Sequence, residues 1–418
     1  MAKRVIQINE RLPLIESIPL SFQHMFAMFG ASVLVPVLFK INPATVLLLN
    51  GIGTLLYIFL TKGKVPSFLG SSFAYLSPAF VVMASKGFQA AQAGFIVSGL
   101  LLALIGMIIR YAGSEWIDVV FPPAAMGSIV AIIGLELAPT AAKMAGLIAE
   151  EGKALNPKYL IVSISTLAIV IIGSVVFKGF LGIIPILVGV VSGYIIALLV
   201  GIVNFDVIRE TPWLALPTFT APVWDVFAIL TILPAALVVV AEHIGHLIVT
   251  GNICGTDFIK DPGLHRTMAG DGLSTALSGL VGAVPTTTYG ENIGVLAITK
   301  VYSVWVIGGA AVISVIISFV GKLAAAITTI PDPVMGGVSL LLFGTIAASG
   351  LRMLVDQRVD YSKPKNLVLT AVVLIIGLSG AHIQIGTVTL AGMALATVVS
   401  IIISVMFKIF EVTGLMNE

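Results

Sequence analysis

The chain is a succession of long apolar runs separated by short polar connections. A membrane-spanning helix needs ~20 mainly apolar residues, and most of these runs approach that length. Fourteen runs can be counted, near Ile18–Phe39, Pro43–Leu60, Phe68–Met83, Ala91–Ile109, Pro122–Ala138, Leu160–Phe177, Phe180–Val203, Phe227–Ile253, Met268–Val284, Gly290–Ile298, Val304–Val320, Val334–Leu351, Leu367–Leu378 and Leu390–Phe410. The third and tenth are short or interrupted. The pattern predicts an all-α polytopic membrane protein with fourteen spanning segments, numbered here in chain order.

Composition and charge strengthen this prediction. Of the 418 residues, 58% are hydrophobic and 10% are charged, whereas soluble domains carry about 25% charged residues. The net charge of +2 gives no support to nucleic-acid binding. An even number of segments puts both termini on one side. With that side in the cytoplasm, fifteen of the 22 Lys and Arg residues lie inside, as the positive-inside rule requires.

Three short sequence matches recur at a nearly constant offset of 219, 219 and 209 positions. They pair Gln23-His24 with Glu242-His243, Val65-Pro66 with Val284-Pro285, and Pro122-x-x-x-Met126-Gly127 with Pro331-x-x-x-Met335-Gly336. Because seven is odd, two halves of seven segments must cross the membrane in opposite senses. Inverted repeats of this kind are typical of secondary transporters, whose site lies at the midplane where the repeats meet.

Segments 3 and 10 are interrupted at corresponding positions of the two halves. Residues 70–75 break segment 3, and Ser77-Pro78 then predicts a helix start, with Ser as cap and Pro at the first helical position. Residues 286–292 break segment 10 with a run that favours extended backbone. Backbone N–H groups persist unpaired at membrane depth only where they line a cavity. Two such breaks are the best sequence indication of a transporter site.

A carboxylate and two histidines lie inside segment 8. Glu242 and His246 are four residues apart and share a helix face, whereas His243 points away. An ionisable group there costs at least ~2.5–3.5 kcal/mol and usually marks a substrate or proton pathway. Glu242 is predicted to accept hydrogen bonds from ligand N–H groups, and His246 to bind the ligand or relay a proton. Glu242 could instead be a structural carboxylate, and His246 could be a buried structural histidine. For His243 the structural interpretation is preferred.

The broken segments add further candidates. Glu291 lies at a predicted half-helix N-terminus, where a carboxylate either caps the helix or meets a ligand. Phe73 and Tyr289 either pack ordinarily or stack on a flat ring. Carboxylates, aromatic walls and the backbone N–H groups of Phe73 and Gly290 suit a small flat ligand with N–H donors and carbonyl acceptors. A pyrimidine dione such as uracil meets these requirements, whereas an anion would be repelled unless the carboxylates were protonated.

A zinc site is an alternative use of the same residues. Glu242-His243-x-x-His246 is similar to a permuted His-Glu-x-x-His motif. The two histidines are three apart instead of four, no Glu lies between them, and the chain has five histidines in all. An intramembrane metalloenzyme is therefore the less favoured interpretation, and no metal or other cofactor is predicted.

Two motifs give the chain a family resemblance. Residues 292–300, Asn-Ile-Gly-Val-Leu-Ala-Ile-Thr-Lys, resemble the signature Asn-x-Gly-x-x-x-x-Thr plus Arg or Lys of the nucleobase–ascorbate transporters, also called the nucleobase–cation symporter-2 family. Gln23-His24 resembles the Gln-His pair of their first helix. The resemblance covers nearly all of the chain and is closest to the bacterial uracil permease branch. In that branch Glu precedes the signature Asn, as Glu291 does, and segment 8 contains Ala-Glu-His-x-Gly-His, as residues 241–246 do.

The resemblance implies a fourteen-segment fold of two inverted seven-segment repeats, residues 14–205 and 220–410. Two short antiparallel β-strands in segments 3 and 10 would frame the site. The implied domains are a core of residues 14–110 and 226–321 and a gate of residues 120–203 and 330–410.

The resemblance also implies residue roles. Glu242 and Glu291 would bind the pyrimidine with the backbones of Phe73 and Gly290. The further residues implied to line the pocket are Ala31, Ser72 and Tyr289. His246 would assist Glu242 in proton coupling. The chain departs from the family at Phe343, where a gate-side tyrosine is expected; the lost hydroxyl would weaken a polar gate contact but keep the stacking surface.

The combined prediction is a proton-coupled uracil symporter of the bacterial inner membrane that works by alternating access and is not an enzyme. Its partners would be a nucleobase and the lipid bilayer, with no nucleic acid and with the proton as coupling ion. A homodimer through the gate domain is implied by the resemblance alone. The alternatives are a purine (xanthine or urate) symporter, the metalloenzyme, and an anion transporter of related fold, which would need a basic residue at the half-helix ends.

Overall fold

A computed structural model describes residues 4–149, 152, 154–386 and 388–416, apart from the side chains of Ala31, Ile385 and Val388. Within these residues the chain is mostly helical. The first ten helices are α1 (Leu14–Phe39), α2 (Pro43–Leu60), α3 (Leu76–Lys86), α4 (Phe88–Ala112), α5 (Glu115–Val120), α6 (Pro123–Glu136), α7 (Ala138–Met144), α8 (Pro157–Val176), α9 (Pro185–Val200) and α10 (Asp206–Glu210). Short 3₁₀ turns cover Phe73–Tyr75 and Leu181–Ile183.

The second half continues the same architecture. Its helices are α11 (Val226–Ile232), α12 (Ala235–Cys254), α13 (Leu264–Val281), α14 (Gly290–Thr299), α15 (Val304–Ile317), α16 (Gly321–Thr328), α17 (Asp332–Asp356), α18 (Pro364–Leu378) and α19 (Gly392–Thr413). A π-turn covers Ile259–Gly263. The strands are β1 (Leu69–Ser71), β2 (Thr286–Thr288), β3 (His382–Ile385) and β4 (Val388–Ala391).

Each predicted apolar run contains helical structure. By length and composition, eight helical stretches of the described chain could cross a membrane: α1, α2, α4, α6 with α7, α8, α11 with α12, α17 and α19. Three shorter apolar helices, α9, α15 and α18, add to them. The remaining predicted segments are the two broken ones and α13, which carries many Ser, Thr and Gly residues. A polytopic, mostly helical membrane fold is thus confirmed.

Local sequence signals explain where several of these helices begin. Asn42 caps α2 by accepting a 2.8 Å hydrogen bond from the Ala44 N–H, and Pro43 fills the first helical position. Asn156 caps α8 in the same way, accepting a 3.0 Å bond from the Lys158 N–H. An Asn cap followed by Pro suits a helix start because the first N–H groups have no intrahelical partner.

Two predicted helix starts are wrong. The half-helix of segment 3 does not start at Ser77-Pro78 but at Leu76, directly after the 3₁₀ turn, and Pro78 is accommodated because first-turn N–H groups need no partner. Within segment 8, whose predicted bounds agree with the structure, a turn at residues 233–234 separates α11 from α12, where Pro234 removes a backbone donor. Segment 14 does not start at Leu390, which belongs instead to the hairpin of β3 and β4.

The two broken segments meet in the first strand pair. β1 and β2 pair antiparallel, with Leu69 opposite Thr288 and Ser71 opposite Thr286. Hydroxyl groups satisfy neighbouring backbone atoms: Thr54 Oγ1 accepts a 2.9 Å bond from the Leu69 N–H, and Thr275 Oγ1 accepts a 3.1 Å bond from the Thr286 N–H. These bonds allow extended backbone to persist inside a membrane protein.

Small residues allow two helix pairs to pack closely. Gly99 on α4 meets Gly272 on α13, and Gly127 on α6 meets Gly350 on α17. Close backbone approach at small residues is typical of helix contacts in membranes, where van der Waals packing drives association. The first pair joins α4 to α13, and the second joins α6 to α17.

Candidate functional site

The two broken segments and α12 enclose a cavity of about 180 Å³. Its lining residues are Phe73, Val130, Glu242, His246, Thr287, Thr288, Tyr289, Gly290, Glu291, Thr345, Ile346 and Ser349. The first half contributes Phe73 and Val130, and the second half contributes the rest. The cavity is therefore assembled from parts of the chain that are far apart in sequence.

Glu242 is the buried carboxylate of this cavity. Its side chain belongs to α12, the residue is only 6% exposed, and Oε2 has no hydrogen-bond partner within the described part of the chain. A buried acceptor without a protein partner loses about 1–3 kcal/mol. The geometry therefore leaves Glu242 available to a ligand donor or a proton.

His246 lies one turn further along α12 and is oriented by its neighbours. Its Nδ1 is 3.2 Å from Thr288 Oγ1. Its Nε2 faces Gly290, 3.4 Å from the position that a β-carbon would occupy there. The imidazole is thus held between β2 and the start of α14, beside the cavity.

Two short helices begin at the cavity. Phe73 starts the 3₁₀ turn that leads into α3, and Gly290 starts α14. The first N–H groups of a helix have no intrahelical acceptor and carry its positive dipole end. They can donate to carbonyl or anionic groups of a ligand. Glu291 lies in the first turn of α14, where its carboxylate is favoured electrostatically.

Aromatic rings form part of the cavity and its surroundings. Tyr289 lies over β1, where a β-carbon at Gly70 would come within 2.5 Å of the ring, so only glycine permits this approach. The Tyr289 hydroxyl donates to the Ser71 carbonyl at 3.0 Å, and the residue is also part of the cavity lining. The rings of Phe73 and Phe343 meet edge to face with centroids 5.7 Å apart.

The structure brings most of the predicted site residues together. The predicted residues that line the cavity are Phe73, Glu242, His246, Tyr289, Gly290 and Glu291. Ser72 and Phe343 are buried next to it without being among the lining residues. Ala31 lies on α1, and its side chain is outside the described part of the structure.

Further buried polar contacts involve residues that adjoin the cavity lining in sequence. Asn292 Nδ2 is 3.0 Å from the His24 carbonyl and 3.1 Å from His24 Nδ1, so His24 pairs with a polar group of the second half. His243 Nδ1 lies 3.0 Å from Asp271 Oδ2, without the alignment of a hydrogen bond. Thr287 Oγ1 donates to that same oxygen at 3.2 Å. His243 is thus fully buried beside Asp271 and is not among the residues that line the cavity.

Sequence reasoning missed the lining residues of the opposite wall. These are Val130 on α6 and Thr345, Ile346 and Ser349 on α17. The i, i+4 spacing of Thr345 and Ser349 is the one signal that could have indicated a polar stripe on that helix. The roles of Thr287 and Thr288 were also missed, although the threonine run itself was recognised as a break.

A second cavity of about 210 Å³ shares Glu291 and Thr345 with the first and extends along Phe26 and Ile298. In the part of the chain that the structure describes, there is no group of three or more His, Cys, Asp or Glu side chains arranged to hold a metal ion.

Comparison with known proteins identifies the family. A family model described as a permease family (Xan_ur_permease) matches residues 15–386. The chain is 59% identical over 421 residues to a uracil permease of Paenibacillus larvae, covering 100% of both chains. It is 60% identical over 412 residues to a uracil permease of Escherichia coli K12, covering 99% of this chain and 96% of the relative.

A solved structure shares the fold at low sequence identity. The transmembrane domain of a cyanobacterial bicarbonate transporter, BicA, superposes with a TM-score of 0.63 and 16% identity, covering 96% of this chain and 100% of that one. The fold, the cavity and the family match point to the same class of protein. The chain therefore belongs to the nucleobase–ascorbate transporter family of permeases, which are transporters and not enzymes.

Proposed function

We propose that the protein is a proton-coupled uracil symporter. The observation that carries this proposal is the buried Glu242, whose Oε2 has no protein partner and whose side chain lines a cavity beside two helix starts. The family membership and the two uracil permease relatives support the choice of substrate. Proton coupling is a general property of the family.

The cavity chemistry complements a pyrimidine dione. Glu242 and Glu291 supply acceptors for two ring N–H donors. The backbone N–H groups of Phe73 and Gly290 supply donors for two ring carbonyls. The Tyr289 ring offers a face for stacking. These roles remain proposals, and Ser72, Ala31 and Phe343 are proposed to act from the surroundings of the cavity.

We propose that protonation of Glu242, assisted by His246, accompanies each transported uracil. Two carboxylates in one small buried cavity repel each other, so binding a neutral ligand is easier when one carries a proton. His246 lines the same cavity, and its Nε2, which has no hydrogen-bond partner among the described residues, could exchange a proton. The proton is the proposed coupling ion, and no cofactor is proposed.

The proposed architecture has fourteen segments in two inverted repeats, residues 14–205 and 220–410. Strand pairing supports it, because Leu69 and Thr288 are direct partners and lie 219 positions apart, the offset of two of the sequence matches. The helix starts at Pro122 and Pro331 support it as well, since both residues precede a helix in the same extended conformation.

The cavity lies between the proposed domains. Core residues 14–110 and 226–321 contribute Phe73, Glu242 and residues 287–291, while gate residues 120–203 and 330–410 contribute the wall on α6 and α17. Movement of the core against the gate would expose the cavity to alternate sides. The second cavity, which shares Glu291, is a proposed path toward the cytoplasm. A homodimer through the gate domain is also proposed.

The proposed location is the bacterial inner membrane with both termini in the cytoplasm. The distribution of Lys and Arg supports this orientation through the positive-inside rule. Cysteine labelling of single introduced cysteines at the exposed Lys408 and Arg209 positions, in a Cys254→Ser background, tests it: only the Arg209 position should react with an impermeant reagent added outside.

Uptake of labelled uracil into proteoliposomes tests the function. An inward proton gradient should accelerate uptake, and an excess of unlabelled xanthine should leave it unchanged. Xanthine competition would redirect the proposal to a purine carrier. Absence of uracil binding and uptake by monodisperse protein under any gradient would overturn the proposed substrate.

A further inference from the structure

The three threonines of β2 are buried in a row, and each hydroxyl has a different partner. Thr286 Oγ1 donates to Ser274 Oγ on α13 at 2.7 Å, and Thr287 Oγ1 donates to Asp271 on the same helix. Thr288 Oγ1 alone contacts a titratable residue that lines the cavity, His246, at 3.2 Å from Nδ1. Thr288 lies directly opposite Leu69 in the strand pair, so its backbone is fixed.

A hydroxyl suits a ring that gains and loses a proton. Thr288 Oγ1 can donate to Nδ1 when that nitrogen is bare and accept from it when it carries hydrogen. A carbonyl could only accept, and a carboxylate would strongly favour the charged ring. The Thr288 contact can therefore persist in every protonation state of His246, and Nε2 stays directed toward Gly290 and the cavity. The orientation of a histidine depends on such a partner at its other nitrogen.

We propose that Thr288 is a positioning residue for proton coupling, which holds His246 with Nε2 toward the cavity throughout the transport cycle. This inference rests on the proposed function. Thr288 lines the cavity, but its hydroxyl is directed to His246 Nδ1 and is not proposed to bind the transported molecule. Its effect passes through the imidazole, so its loss should alter the dependence of transport on pH more than the affinity for uracil.

Other titratable groups lie on α12 and on the elements that pack against it. They include Glu242, Glu291 and Tyr289, which line the same cavity, and His243 on α12, Asp271 on α13, Tyr75 in the 3₁₀ turn and Glu136 on α6. Each of these groups is left in place when the Thr288 hydroxyl is removed. A change in the pH profile of a Thr288 variant would therefore report the lost contact with Nδ1.

The test compares Thr288→Val, Thr288→Ser and the matched control Thr286→Val. Val keeps the size and β-branching, whereas Ser keeps the hydroxyl. Thr286→Val removes a hydroxyl from the same strand without touching a histidine. Initial rates of gradient-driven uracil uptake are measured in proteoliposomes across pH, together with KM and with uracil counterflow at equal pH on both sides.

We expect Thr288→Val to lower gradient-driven uptake by ~10-fold or more, as loss of a hydrogen bond to a charged group does. Its pH optimum should move, while its KM and its counterflow change less. Thr288→Ser should keep the wild-type profile, and Thr286→Val should keep the wild-type pH optimum. If Thr288→Val does not fold, Thr288→Cys takes its place, because a thiol of similar size is a weak donor.

Two results would overturn the inference alone while wild-type protein carries uracil. One is that Thr288→Val keeps the wild-type pH optimum and the wild-type dependence of uracil uptake on the proton gradient. The other is equal impairment of Thr288→Ser and Thr288→Val, which would assign the effect to packing of the methyl group. Wild-type protein that neither binds nor carries uracil would overturn the proposed function as well, so the two failures are distinguishable.

Discussion

Phe73 and Phe343 meet edge to face, with ring centroids 5.7 Å apart and an interplanar angle of 81°. Phe73 begins the helical part of segment 3, and Phe343 belongs to α17, across the cavity. The contact therefore joins the two proposed domains at the edge of the site. Phe343 lies at the position where the family resemblance predicts a tyrosine. Its contact with Phe73 needs no hydroxyl, because edge-to-face packing depends on the ring alone.

Replacing Phe343 by Ala should weaken this junction. The residue is 1% exposed, and a buried Phe→Ala change typically costs about 3–5 kcal/mol. We expect a lower apparent melting temperature in detergent and reduced uracil uptake. Phe59→Ala is the matched control, because Phe59 is 78% exposed on the surface of α2. Equal melting temperatures for Phe343→Ala and Phe59→Ala would show that the ring contact contributes little.

Glu242→Gln should abolish gradient-driven uptake while the protein stays folded. Glutamine has nearly the same shape but cannot take up a proton, and it also replaces an acceptor with a donor. Loss of a charge-assisted hydrogen bond corresponds to about 10–100-fold in binding or rate. Uptake and thermal stability are measured beside Glu411→Gln, an exposed residue of α19. Wild-type-like uptake by Glu242→Gln would refute the assignment of the site.

The His24–Asn292 contact should be energetically coupled. Both residues are buried, and their bonds join α1 to α14. His24→Ala removes the contact of Asn292 Nδ2 with the imidazole Nδ1 but keeps the backbone carbonyl, whereas Asn292→Ala removes both contacts. Each lost hydrogen bond contributes about 0.5–1.5 kcal/mol. His24→Ala and Asn292→Ala should each lower thermal stability, and the double variant should lose less than the sum of the two. Simple additivity in this cycle would mean that the contact has no coupling energy.

Gly392→Ala should destabilise the start of α19 more than Gly414→Ala destabilises its end. Both glycines have positive φ, +53° and +70°, which costs other residues about 1–2 kcal/mol. A β-carbon at residue 392 would also overlap the Glu136 carboxylate, which accepts a 2.8 Å bond from the Met393 N–H. A β-carbon at residue 414 meets open space in the described structure. Melting temperatures of the two variants in the same detergent test the difference, and equal values would exclude the predicted overlap.

The sequence predicted the helices well because hydrophobic length is the dominant constraint in a membrane. It predicted the breaks in segments 3 and 10 from their Gly, Ser and Thr content, but not that the 3₁₀ turn starts at Phe73. Helix starts near a strand depend on which backbone groups the strand leaves free. Here the Ser72 N–H is bonded to the Pro285 carbonyl, more than two hundred residues away, and local sequence carries no sign of that bond.

The candidate site was partly predictable for a related reason. Ionisable residues inside apolar runs, such as Glu242 and His246, are conspicuous because burial is costly. Thr345 and Ser349 are not conspicuous, since hydroxyl residues can bond to their own helix, as Thr345 does to the Leu342 carbonyl at 2.8 Å. Asp271 had no explanation in the sequence because its partners, His243 and Thr287, come from two other elements.

The pairing of β1 with β2 constrains the order in which the protein can be made. Leu69 is synthesised 219 residues before its partner Thr288. During that interval, Thr54 can already accept from the Leu69 N–H. The backbone groups beside it that bond to the second half, such as the Ser72 N–H and the Phe68 carbonyl, lack their final partners, which is costly in hydrocarbon. The nascent first half must therefore shield this edge, by water, the insertion machinery or a temporary internal contact, until the second half arrives. The strands that frame the cavity thus also make the completion of folding depend on the last third of the chain.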